Sequence, residues 1–222
     1  IENTNPYHAP GFCEGSAWQF TWYVPHDVKS LINLIGERQF IDRLNAGFAT
    51  SEKVSFNALG DNMGAYPINH GNETNMQAAY LFSYTSEPWH TQKWARAIQE
   101  KYYGMGPRDA YPGDEDQGQM SSWYILSSIG LFQMDGGCSK DPVWLLGSPR
   151  FDRVEILLDN TYYSGKKLII KAENVSKDNC YIQYVRFNNK RLSNNYIEWS
   201  KLKKGGTLHF IMGDRPNPNA FK

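Results

Sequence analysis

The chain has 222 residues with 23 basic and 23 acidic side chains, a formal net charge of zero. That balance excludes the basic footprint of a nucleic-acid or anionic-membrane binder and favours a small neutral ligand. No apolar run approaches the roughly 20 residues of a membrane-spanning helix, and the length is that of one to two domains. A start at Ile1, without an initiator Met or the apolar core of a signal peptide, reads as a truncated chain. Cys13, Cys138 and Cys180 are too widely spaced for a zinc pattern or a disulfide framework. The seven Trp and fourteen Tyr suit either core packing or stacking against sugar faces.

Residues 1–137 read as helices joined by long loops. A short aromatic helix is expected over 16–24, stopped by Pro25, and Asp27 caps a second over 28–35 that Gly36 ends. A third covers 37–48. Between Thr50 and Asn75 the periodicity disappears, and a loop of that length in a compact domain is more often a binding loop than filler. Thr74 or Asn75 caps a helix over 76–84, and another spans 91–103 with Trp94, Ile98 and Tyr102 along one side. The chain then reaches Gly113-Asp114-Glu115-Asp116-Gln117-Gly118-Gln119-Met120, three carboxylates in a turn ahead of a helix apolar nearly all round. Asp116 and Gln119 have the spacing of a capping box, which would by itself explain Asp116. The expectation is a set of antiparallel helical hairpins whose loops gather Glu14, Glu73 and Asp114–Asp116 at one end. From residue 138 to 222 the pattern changes to period two, with strands expected over 154–158, 167–171, 181–187 and 207–212. Asn188-Asn189-Lys190 and Lys203-Lys204-Gly205-Gly206 are turn signals of the kind that join antiparallel strands. The fold class is therefore mainly α with a β-rich C-terminal tail.

Four places carry polar residues that packing alone does not ask for. Glu14 precedes a helix dense in aromatics, where desolvation would raise a carboxyl and keep it protonated as a general acid, although an acid at a helix start is also simply favourable. His70-Gly71-Asn72-Glu73 offers hard oxygen ligands suited to Ca²⁺, or a helix cap. The acidic turn supplies a carboxylate base for water. Pro88-Trp89-His90 presents a loop aromatic able to stack on a sugar or to pack. No phosphate loop and no Ser or Cys nucleophile motif is present.

Taken in order, Glu14-Gly15-Ser16-Ala17-Trp18-Gln19-Phe20-Thr21-Trp22-Tyr23-Val24-Pro25-His26-Asp27, Gly71-Asn72-Glu73, Pro88-Trp89, Pro112 to Tyr124, Gly147-Ser148-Pro149 and Lys204-Gly205-Gly206-Thr207-Leu208 resemble glycoside hydrolase family 92. The resemblance implies an inverting, calcium-dependent exo-α-mannosidase, periplasmic or secreted, acting on terminal α-mannosides of N-glycans or mannan, with an α-1,2 preference. It also implies an N-terminal β-sandwich followed by an (α/α)₆ barrel. Residues 1–137 would be the C-terminal half of that barrel, with the sandwich and the first half missing from this chain. By the same resemblance Glu14 is the general acid and Asp116 the base with Asp114 assisting. Asn72 and Glu73 lie at the calcium site, and Trp18, Gln19, His70, Trp89 and Gln119 line the sugar pocket. The family's turn usually reads Gly-Asn-Asp-Asp, so the extra charge here leaves the choice of base between neighbouring acids. Two other functions fit the residues: a carbohydrate-binding or structural fragment inactive on its own, and a related barrel phosphorylase. Scarce Arg and Lys in the motif loops count against the phosphorylase.

Overall fold

The polar caps and the apolar periods set the helices. A computed structural model describes residues 11–58, 64–111 and 113–222, so Pro112 of the acidic motif and 59–63 of the long loop lie outside the described residues. Six helices come first: α1 (Ala17–Phe20), α2 (Val28–Ile35), α3 (Glu37–Ser51), α4 (Glu73–Met76), α5 (Trp89–Lys101) and α6 (Gln119–Ser128). Asp27 caps α2 by accepting from the Ser30 N–H at 3.1 Å, and Gly36 closes it with φ +87°, a conformation that costs a residue with a Cβ. α1 is a single turn rather than the longer expected helix, because the chain leaves helical geometry well before Pro25. α4 starts at Glu73, three residues earlier than expected. Asn75 is therefore inside it and buried instead of capping it, and Ala78–Tyr84 continues as a 3₁₀ helix.

α5 folds back on that 3₁₀ segment, and Trp94, Ile98 and Tyr102 are buried as their spacing predicts. Around them lies an aromatic core in which Phe48 stacks on Trp94 with ring centroids 5.3 Å apart, flanked by Phe40, Phe56 and Phe82. Truncating such a side chain costs about 3–5 kcal/mol. α6 departs from expectation: Met120, Trp123, Ser127 and Ser128 are buried, but Ile125 is 59% exposed, so one flank faces outward.

The chain then turns to strands: β1 (Leu131–Phe132), β2 (Val143–Leu146), β3 (Arg153–Leu157), β4 (Lys167–Glu173), β5 (Tyr181–Phe187), β6 (Lys190–Arg191), β7 (Tyr196–Glu198) and β8 (Gly206–Gly213), with a one-turn helix α7 (Trp199–Leu202) before β8. A three-stranded sheet has order β1-β2-β7, and a five-stranded sheet has order β3-β4-β8-β5-β6, all antiparallel except β4 against β8. Asn188 and Asn189 take positive φ and make the β5–β6 hairpin. Gly205-Gly206 instead turns the chain from α7 into β8, so this second signal does not join two antiparallel strands. Leu131, Leu146 and Ile197 of the small sheet share a core with Leu168, Ile170, Val185 and Phe210 of the large one. Cross-links tie strands to helices: Gln92 of α5 accepts from the Ile182 N–H at 2.8 Å, and Asn195 donates to the Ser83 carbonyl at 2.6 Å.

Candidate active site

Three loops meet at the ends of α1, α4 and α6. The Glu14 loop is held by Asn72, whose Nδ2 donates to the Glu14 carbonyl at 2.5 Å. Beneath it Asn75 donates to the Gln19 carbonyl at 2.9 Å and Gln77 to the Trp22 carbonyl at 3.2 Å. These amides are buried, so each bond is expensive to lose. On the other side the Tyr102 hydroxyl lies between two glycines. A Cβ at Gly71 would approach it to 2.6 Å and one at Gly113 to 2.8 Å, so neither position admits a side chain. Tyr102 thereby sets the spacing between the Asn72-Glu73 loop and the acidic turn.

In that turn Glu115, Asp116, Gln117 and Gly118 all take positive φ. Consecutive left-handed residues cost roughly 1–2 kcal/mol each, and such strain is held where the surroundings over-determine it. Glu115 is what holds it: its carboxylate accepts from the Gly118 N–H, and from the Ser121 N–H at 3.2 Å and hydroxyl at 2.6 Å. The capping box expected of Asp116 and Gln119 is therefore not made, because Glu115 takes the role and leaves Asp116 uncommitted. The two neighbouring acids are pushed apart. The Ser121 hydroxyl bond lowers Glu115, whereas desolvation raises Asp116, aided by the charges of Glu73, Asp114, Glu14 and Glu115. Asp116 Oδ2 is buried without a hydrogen-bond partner. Carboxylates from all three loops thus lie within electrostatic reach of Asp116, across about a hundred positions of sequence.

The other expected site residues divide. Gln119 is exposed at the start of α6 and shares with Glu73 the rim of a cleft of about 330 Å³ floored by Met76, Trp123, Leu126 and Phe132. That volume is of small-ligand size. Trp18 is 41% exposed, with the Arg43 guanidinium 5.4 Å from its ring centroid. Gln19 is fully buried and donates to the Tyr66 carbonyl at 2.9 Å, so it braces the loop instead of facing a ligand. His70 is also fully buried, packed against Tyr102, Tyr103 and Trp123 and bonded through Nε2 to the Tyr103 hydroxyl at 2.9 Å. Burial pushes it down to about 3, which makes it a neutral strut. Trp89 is not brought to the acids at all. It begins the 13-residue α5 whose other end carries Tyr102, about 20 Å away. Glu14 itself is exposed, so the aromatic shell expected to desolvate it is not supplied by these residues. Sequence reasoning missed Tyr102, Tyr103 and the Asn75 and Gln77 bonds; the clustering of Asn and Gln between 69 and 77, in a stretch read as a loop, was the available signal. A larger cavity of about 550 Å³ between Ser83–Pro88 and Ser193–Tyr196 has no Asp or Glu side chain in its lining and so supplies no carboxylate pair.

The charged groups acting on Asp116 are the carboxylates of Glu73, Asp114, Glu14 and Glu115, and a buried unpartnered Oδ2 among acids suits a hard cation such as Ca²⁺. Among the described residues no three Asp, Glu, His or Cys side chains converge tightly enough to hold a metal by themselves. Any such ion would complete its shell with the Asn72 Oδ1, water or ligand hydroxyls.

The sequence profile of the glycosyl hydrolase family 92 catalytic domain matches residues 1–214. The chain belongs to glycosyl hydrolase family 92. Within the family it is similar to the α-mannosidase BT3965 from Bacteroides thetaiotaomicron, at 33% identity and a TM-score of 0.82, covering 99% of this chain and 27% of that one. It is similar also to the inverting mannosidase BT2199 from the same organism, at 32% identity and a TM-score of 0.79, over 95% of this chain and 29% of that one. A protein of Arthroderma benhamiae called an uncharacterized secreted glycosidase is 29% identical over 203 residues, 90% of this chain and 23% of its own length. This family 92 chain therefore spans about a quarter of the length of these relatives. No helix among its described residues is long and apolar enough to cross a membrane.

Proposed function

We propose that this chain carries the acid–base centre of a secreted or periplasmic exo-α-mannosidase that cleaves terminal α-mannosides with inversion. The observation that carries the reading is Asp116, a carboxyl left out of the cap, raised by desolvation and then by the acids around it, two of them on other loops, with one oxygen buried and unpartnered. The family and the inverting mannosidase among its neighbours support the reaction class.

Glu14 protonates the departing glycosidic oxygen. Asp116, with Asp114 beside it, takes a proton from water attacking the opposite face. An inverting pair needs a gap of about 6.5–9.5 Å to admit that water; in support of the reading, Glu14 and Asp116 lie on separate loops and are coupled electrostatically. Glu14 is exposed on this chain, so its desolvation comes from substrate and from the remainder of the polypeptide, which also completes an (α/α)₆ ring around the hairpins. Glu73 and Asn72 Oδ1 would hold calcium at the mouth of the cleft. Held there, calcium would take sugar hydroxyl oxygens as ligands and offset the negative charge around Asp116. Gln119, on the rim of the cleft, and the exposed Trp18 would meet the terminal mannose.

The test is mannose release by the complete protein from α-1,2-, α-1,3- and α-1,6-mannobiose. Fastest turnover of the α-1,2 isomer, lost in excess chelator and restored by Ca²⁺, is expected. Absence of release from all three would sink the reading.

A further inference from the structure

On the far side of the Tyr103–Trp123 stack from the cleft lies a cavity of about 530 Å³ between the C-terminal half of α5 and the loops at Arg150 and Ser176. Its charged lining is three cations, Arg96, Arg150 and Lys177, against one carboxylate, Glu100. Arg96 is 5% exposed and, among the described residues, donates to neutral acceptors: the Ser176 carbonyl at 2.8 Å, the Ser148 hydroxyl at 3.1 Å and the Pro149 carbonyl. Its Nε–H is buried without a partner. None of the three cations makes an ion pair among the described residues. One turn along the same face of α5, Gln99 is 1% exposed, and neither its Nε2 nor its Oε1 has a partner, although its backbone carbonyl accepts from Arg150 at 3.1 Å.

A buried guanidinium with no ion-pair partner, in a lining where three cations face the single carboxylate of Glu100, and a buried amide without a hydrogen bond are each costly, and a folded chain keeps such groups where something compensates them. Water can satisfy the Gln99 amide but leaves the excess of three cations over one carboxylate as it is. An apolar guest satisfies neither. An oxyanion brings negative charge to Arg96, Arg150 and Lys177 and offers acceptors to the Arg96 Nε–H and the Gln99 Nε2, which lie just under the cavity wall and meet it by a small turn of their side chains.

We propose that this cavity is an oxyanion site, distinct from the acid–base centre, which braces the junction between α5 and the strand-rich part of the chain. The site does not depend on the mannosidase reading. The oxyanion is either free, of the phosphate or sulfate class, or a carboxylate contributed by the rest of the polypeptide.

The two sources separate in thermal unfolding of the complete protein, measured in increasing inorganic phosphate against chloride at matched ionic strength, for the parent, Lys177→Ala and Arg150→Gln. A free oxyanion predicts a Tm that climbs with phosphate in the parent, by a few degrees across a hundredfold range, and a climb that is lost in both variants. A protein carboxylate predicts no phosphate effect in the parent and a Tm lowered by several degrees in both variants. Two results would overturn the site: a phosphate effect of equal size in parent and variants, or no phosphate effect together with unchanged Tm in the variants. Lys177→Ala guards against a folding defect, since Lys177 is exposed and no ion pair of its own is lost.

Discussion

Asn72 reaches across 58 positions of sequence to hold the backbone of Glu14, its amide lying 2.5 Å from that carbonyl. One side chain thereby sets the place of the Glu14 loop. Asn72→Ala should release the Glu14 loop. The expected result is a kcat/KM at least tenfold down in the complete protein with a stability loss of about 1–3 kcal/mol, the range for a buried hydrogen bond partner left unpaired. Asn72→Asp should restore little, because a carboxylate cannot donate to the carbonyl. Parent-like turnover in both variants would show that the loop is held by something else.

Asp116 gives a prediction of opposite sign for stability and activity. Its carboxyl is raised by desolvation and by Glu73, Asp114 and Glu14, so the folded chain binds this proton more tightly than the unfolded chain does. Ionising it near neutral pH therefore costs stability, and the cost disappears as pH falls through the raised pKa. Asp116→Asn should abolish turnover yet raise Tm at pH 7 in chelator, with the gain shrinking as the buffer is acidified. Calorimetry of parent and variant across pH reads this directly; a variant less stable than the parent at neutral pH would contradict the assignment.

His70 sets an acid limit. Burial lowers it from 6.5 to about 3, so the unfolded chain takes up its proton first and the neutral folded form loses stability as pH falls from about 6.5 towards 3. Tyr103→Phe removes the partner of Nε2 and should cost about 1–3 kcal/mol. The chemistry itself should be little changed at saturating substrate, since neither ring faces the cleft. Unfolding monitored by tryptophan fluorescence would report both effects, and a flat stability profile between pH 6.5 and 4 would argue that His70 is not buried.

Glu14→Gln separates an acid from a positioning residue. Activated aryl mannosides leave without protonation, whereas a mannobiose does not. The account expects a loss of about a hundredfold or more on the disaccharide and a small one on the activated substrate. Equal losses on both would remove Glu14 from the acid role.

Much of this architecture could be read before any coordinates. The Asp27 cap, the Trp94–Ile98–Tyr102 stripe and the four long strands follow from local patterns that packing then reinforces. The gathering of Glu14, Glu73 and Asp116 was expected from loop positions in helical hairpins, and their electrostatic coupling agrees. What local pattern could not give was the division of labour within the turn. Asp116 and Gln119 have the spacing of a cap, but the left-handed backbone from Glu115 to Gly118 puts the neighbouring carboxylate over the helix start. Nor does sequence distinguish a polar side chain that faces a ligand from one that braces a loop. Gln19 and His70 sit in motifs that look like binding motifs, yet both are buried by long-range contacts with Tyr66 and Tyr103. Strands β1, β2 and β7 escaped because two to four residues are too few to show a period.

In the proposed reaction water, not a side chain, attacks the sugar while Asp116 takes its proton. Proton NMR of the first mannose released by the complete protein from an α-mannoside, recorded before mutarotation, decides this. The β-anomer is predicted, the outcome of a single displacement. The α-anomer would require a glycosyl–enzyme intermediate and would contradict Asp116 as a base.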